Sequence, residues 1–138
     1  MKLADLELRS SDYRPRPPDG AFYPIGVIGC GGIVNHSHMA AYRDFGYEVV
    51  ACTDIDPDAV ASTQTRWGIA DGDTDPSIVL DNPKVAVIDL AVHAHVRPTI
   101  WEAVLSSGKP VLSQKPFAMT WESAVSMQQE AARASVPL

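Results

Sequence analysis

One segment, Gly29-Cys30-Gly31-Gly32-Ile33-Val34, restricts what this chain can fold into more than any other. It follows a short apolar run, Ile25–Cys30, that reads as a strand. It opens onto residues 33–45, which read as a helix stopped by Gly46. Glycines at such a junction allow a tight turn and the close approach of another group to the backbone. The helix N-terminus adds unpaired N–H groups and the positive end of a dipole. Together these suit a bound diphosphate. A glycine-rich turn on its own needs no ligand, so the context has to be weighed.

The spacing fits the G-x-G-x-x-G/A pattern of dinucleotide-binding turns. In that pattern Gly29 permits the turn and Gly31 lets the backbone meet a pyrophosphate, with Gly32 and Ile33 beside it. The third position is Val34 rather than glycine or alanine. A larger residue there implies a slightly wider contact between helix and strand, with Gly32 relaxing the loop in partial compensation.

The rest of the chain supplies the context. Tyr47–Thr53 reads as a strand, and Asp56-Pro57 opens the next helix as cap and first residue, with Gly68 closing it. Residues 70–76 are polar and turn-rich, so a strand near Ile69 must be short and a helix over 76–82 weak. Val85–Val92 is the most apolar run and reads as a central parallel strand covered on both faces. Pro98 starts a helix that Gly108 ends, and Val111–Gln114 is another strand. Thr120 caps a last helix with a stripe of Trp121, Ala124, Val125, Ala131 and Ala132. Strict alternation of strand and helix predicts a doubly wound parallel α/β sheet, order 3-2-1-4-5, over residues 25–138. Residues 1–24 carry four of the eleven prolines and balanced charge, and read as an extended arm.

Asp54 ends the second predicted strand, 20 residues after Val34. An acidic side chain there accepts hydrogen bonds from the adenosine ribose hydroxyls. It also repels a 2′-phosphate, Asp56 and Asp58 add to that repulsion, and no Arg or Lys lies between Thr53 and Gln64. The pattern favours NAD over NADP.

Bulk properties narrow the alternatives. A net charge of −6 argues against nucleic acid and against a polybasic membrane surface. No run approaches the length of a transmembrane helix, and the N-terminus lacks the apolar core of a signal peptide. Cys30 and Cys52 have no metal or disulfide spacing and read as small buried thiols in a reducing cytoplasm.

The stretch IGVIGCGGIVNHSHMAAYRDFGYEVVACTDIDPDA, with GKPVLSQKPFAM further on, resembles the N-terminal domain of the Gfo/Idh/MocA oxidoreductases. The second stretch is similar to that family's GKHVLCEKP strand and its Glu-Lys-Pro signature. The resemblance implies a two-domain enzyme that transfers hydride between a nicotinamide and a hydroxyl-bearing carbon of a sugar or cyclitol. It implies that Lys115 sits near the nicotinamide and the reacting hydroxyl, where an ammonium can polarise a carbonyl and steer a proton. Val92, His93 and His95 then line the nicotinamide side. Pro116 shapes the following turn, and a cis bond there is an open option. Gln114 replaces the signature's glutamate, and Arg97 stands where a histidine is common. The chain stops where the family begins its next strand and second domain, which hold the usual histidine and acidic partner for acid–base catalysis. Two readings follow: the cofactor half of a sugar or polyol dehydrogenase, or a non-catalytic cofactor-binding module that pairs with a second copy or another chain.

Other candidates carry structural expectations. His36-x-His38 and His93-x-His95 lack the partners of a metal site, so no metal is expected. His36 and His38 read as ordinary helix residues. Asp89 interrupts the most apolar strand and must find hydrogen-bond donors. Trp67, Trp101 and Trp121 read as packing residues on helices.

Overall fold

The computed structural model describes residues 22–138. The Pro-rich arm expected over residues 1–24 therefore lies almost wholly outside the described residues. Of its end, Phe22 packs against the ring of Tyr47 at 5.4 Å, and the Pro24 carbonyl accepts from the amides of Ala86 and Val87.

Five strands form one sheet: β1 (Ile25–Ile28), β2 (Val49–Thr53), β3 (Asp71–Asp73), β4 (Val87–Leu90) and β5 (Val111–Ser113). Every pairing is parallel and the order is β3-β2-β1-β4-β5, as the alternation predicts. The chain leaves β1 toward one edge and returns at β4 toward the other. The gap between their C-terminal ends is the switch point where such sheets bind ligands.

The connecting helices are α1 (Met39–Phe45), α2 (Pro57–Trp67), α3 (Ser77–Leu80), α4 (Arg97–Ser106) and α5 (Trp121–Arg133). Their ends follow the sequence signals. Asp56 caps α2 by accepting from Asp58 N, and Gly46 and Gly68 close α1 and α2 in the left-handed conformation. Thr120 caps α5 by accepting from Ser123 N. The weak third unit is as short as its polar composition requires.

The sheet is buried on both sides. Val27, Val34, Met39, Cys52 and Val60 form one cluster with α1 and α2. Ile28, Ile88, Leu90, Trp101, Val104 and Met127 form the other with α3, α4 and α5. β1 approaches α3 so closely that a Cβ on Gly26 would lie 2.6 Å from Val79 Cγ1.

Two expectations need correction. The α5 stripe includes neither Trp121, which is 77% exposed, nor Ala132, which is exposed too; Met127 and Ala131 are the residues it buries, with Ala124 and Val125 half-buried. The second correction concerns the entry to α1. Its first turn, Val34–His38, is π-helical, with Met39 N donating to Val34 O. Val34, at the motif's third position, is fully buried at the start of this π turn.

Candidate functional site

The glycine turn is built for close approach on both sides. Gly29 has φ +106°, a region L side chains avoid. A Cβ on it would sit 3.0–3.1 Å from the backbone of Ala91 and Val92, at the end of β4. Gly29 therefore lets the two central strand ends converge. At Gly31 a Cβ would meet nothing within 4 Å. Its exposed face opens on the groove, which is the shape a diphosphate against bare backbone requires.

Asp54 is tied to this turn. Its Oδ2 accepts from Cys30 N at 2.7 Å and its Oδ1 from Asp56 N at 3.0 Å. The carboxylate is thus aimed and half-buried at the end of β2. Asn35 holds the turn from the other side. Its Nδ2 donates to Cys30 O, Gly31 O and Thr63 Oγ1, and its Oδ1 accepts from Trp67 Nε1. Cys52, buried beneath, has its thiol pushed up by its hydrogen bond with Cys30 and by burial, so it stays protonated.

A cleft of about 210 Å³ runs along these strand ends. Gly29, Gly31, Asp54, Val92 and His93 all line it, joined by Ile55, Thr74, Val96 and Ile100. Gly32, Ile33, His95 and Lys115 lie outside its walls. Gly32 and Ile33 are exposed just beyond the turn. His95 stacks on His93, with centroids 5.6 Å apart and planes 14° apart. Lys115 is exposed just past the end of β5, and its peptide bond to Pro116 is cis.

Two residues matter more than the sequence suggested. Arg97 is 1% exposed at the start of α4. Its Nη1 donates to the carbonyls of Pro116 (2.7 Å) and Phe117, and its Nη2 to those of Val92 and Gln114 (both 2.8 Å). Burial lowers its pKa. One guanidinium thus joins the loop after β4 to the Gln114–Phe117 loop after β5. His38, expected to be an ordinary helix residue, instead bonds to Asp89 and Gln114. A cation beside several strand-end carbonyls, or a histidine one helix away from a buried aspartate, gives no local pattern, so neither was visible in the sequence. Among the described residues no group of three His, Cys, Asp or Glu side chains could hold a metal ion.

An all-parallel sheet, a positive-φ glycine turn after β1 and a carboxylate fixed at the end of β2 define a dinucleotide-binding Rossmann domain. The chain belongs to the GFO_IDH_MocA oxidoreductase family, whose NAD-binding Rossmann-fold model matches residues 23–138. It is 32% identical to a D-apiose dehydrogenase of Paraburkholderia graminis over 81% of this chain and 30% of that protein. It is 35% identical to an inositol 2-dehydrogenase of Burkholderia ambifaria over 70% of this chain and 29% of that protein. The WlbA dehydrogenase of Bordetella pertussis, solved with NADH and UDP-GlcNAcA, superposes with a TM-score of 0.75 at 26% identity, covering 87% of this chain and 36% of that one. The chain thus spans about a third of the length of these relatives.

Proposed function

We propose that this chain binds NAD across the C-terminal ends of β1 and β4 and serves as the cofactor half of a dehydrogenase acting on a sugar or polyol hydroxyl. One observation carries the reading. The bare face of Gly31 and the carboxylate of Asp54 open on one cleft and are joined through the Cys30 amide. The pyrophosphate fits against Gly29, Gly31, Gly32 and Ile33, and Asp54 accepts from the adenosine ribose. Val92, His93 and His95 take the nicotinamide side. NAD is favoured over NADP because a 2′-phosphate would face Asp54 with Asp56 and Asp58 behind it.

When bound, the nicotinamide supplies hydride chemistry. The chain's own contribution is to orient it and to present a cation. Lys115 stands by the reacting hydroxyl, where its ammonium stabilises the developing oxyanion and steers the proton. The names of the relatives, apiose, inositol and levoglucosan dehydrogenases, support a polyhydroxylated substrate. Turnover needs substrate positioning and water exclusion that one open cleft does not give, so it requires a covering domain or chain.

Residues 25–138 form the folding unit and 1–24 an appended arm. Two free, buried thiols support a cytoplasmic setting; no described helix is long and apolar enough to cross a membrane. Leu112 (55% exposed) on edge strand β5, beside Trp121, supports association with a second copy or another chain.

Titration of the chain with NADH, followed by nicotinamide fluorescence and by calorimetry, tests the central point. Saturable binding of NADH, with NADPH weaker, is the expected result. No heat and no change in emission with either dinucleotide sinks the reading.

A further inference from the structure

Asp89 lies in the middle of β4, 1% exposed, on the face covered by α1. Its Oδ2 accepts from Tyr42 OH at 3.0 Å and lies 2.7 Å from His38 Nδ1. Burial and the Asp89 charge raise the Tyr42 pKa, so the phenol keeps its proton to donate. A carboxylate only accepts, so the His38 ring proton sits on Nδ1. At the other end the Lys115 backbone N–H can only donate, and it meets Gln114 Oε1 at 2.7 Å. The Gln114 amide nitrogen is therefore the atom that lies 2.6 Å from His38 Nε2, and it donates there, which makes Nε2 the acceptor. The donor and acceptor roles are set from both ends, by a buried carboxylate and by the backbone N–H of the exposed lysine.

We propose that His38, backed by Asp89, is a positioning residue for Lys115. The neutral imidazole fixes the Gln114 amide, and Gln114 fixes the backbone from which the Lys115 side chain extends, just outside the cleft on the side the nicotinamide would take. This rests on the dinucleotide reading above. It also accounts for glutamine at position 114. A glutamate there would set an acceptor against an acceptor, or demand a second ring proton on His38. A packing role for His38 needs only volume; the relay needs a donor toward Asp89 and an acceptor toward Gln114.

The test titrates the full chain with NADH and with ADP-ribose, which lacks the nicotinamide. His38→Leu is expected to weaken NADH about tenfold while leaving ADP-ribose unchanged, the loss corresponding to about one charge-linked hydrogen bond. His38→Gln, whose amide can donate to Asp89 and accept from Gln114, is expected to restore most of that affinity. Adding His38→Leu to Lys115→Ala is expected to cost nothing further, because His38 acts through Lys115. Imidazole ¹⁵N spectra are expected to show one proton, on Nδ1, in the parent and both ring nitrogens protonated at neutral pH in Gln114→Glu. A parent proton on Nε2 overturns the relay. So do additive losses in the double variant, or equal losses of NADH and ADP-ribose. If His38→Leu does not fold, the parent spectrum and His38→Gln still decide. A parent that binds neither ligand overturns the dinucleotide reading and with it the positioning role, while the spectra report separately on whether the hydrogen-bond chain exists.

Discussion

Cys30 donates its backbone N–H to Asp54 Oδ2 over 2.7 Å, which joins the glycine turn after β1 to the end of β2. The same carboxylate takes the Asp56 amide on its other oxygen. Asp54 is thus oriented before any ligand arrives, so ordering it costs little on binding. Asp54→Asn keeps the shape but removes the charge and turns one oxygen into a donor. We expect it to lower NAD affinity about tenfold and to narrow the preference over NADP, because one charge-assisted hydrogen bond and one repulsion are both lost. Parallel titrations with NADH and NADPH read both effects; an unchanged ratio between the two would remove Asp54 from the ribose site.

Gly29 and Gly31 are two residues apart and predict opposite phenotypes. A side chain at Gly31 meets no protein atom, so Gly31→Val should unfold within about 0.5 kcal/mol of the parent. The same valine projects into the groove and should abolish dinucleotide binding. Gly29→Ala combines a left-handed φ with contact against the β4 backbone and should cost about 2–3 kcal/mol. Urea unfolding beside NADH titration separates the pair. A Gly31→Val chain that folds and binds normally would contradict the proposed placement of the diphosphate.

Arg97 predicts a structural defect with a local signature. Arg97→Ala strips donors from the carbonyls of Val92, Gln114, Pro116 and Phe117 at once. Loss of about 3 kcal/mol is expected, since hydrogen bonds from a charged group are among the stronger ones and the carbonyls left behind are partly buried. Arg97→Lys should recover only part, because one ammonium cannot span two loops as a planar fork does. Denaturant unfolding gives the stability. Amide exchange should show the loss of protection concentrated in residues 92–97 and 114–117 rather than spread through the sheet.

These cases show which parts of the fold and site the sequence could reveal. Strand order, caps and the Gly29–Asp54 frame rest on local pattern and on period, so they can be read along the chain. Asp56 as a cap and Gly46 as a stop need only near neighbours. Asp89 was legible as a buried carboxylate in need of donors, but His38 lies 51 residues away from it and Gln114 lies 76 away from His38. No spacing rule reaches across such a gap. Trp121 failed for a related reason: helical period marks a stripe, but which of its members are covered depends on neighbours from elsewhere in the chain. The π turn at Val34–His38 left no signal in the sequence, where residues 33–45 read as one ordinary helix.

Asn35 gives the last prediction, because its roles on the two sides cannot be exchanged. Its amide nitrogen faces the oxygens of Cys30, Gly31 and Thr63, and its carbonyl oxygen takes the Trp67 indole N–H. Asn35→Asp keeps the size but sets a carboxylate oxygen against two carbonyls, and adds a negative charge next to the turn proposed to hold a diphosphate. A loss of about 2 kcal/mol in stability is expected from the unsatisfied acceptors. A further loss in NADH affinity is expected from charge repulsion, and this part should shrink as ionic strength rises. Asn35→Ala removes the same hydrogen bonds without the charge, so its affinity loss should be smaller and nearly independent of salt. Tryptophan emission, sensitive to Trp67, follows unfolding, and NADH titration at low and high salt follows binding. If the alanine and aspartate variants bind NADH equally at low salt, the anion does not sit at this turn.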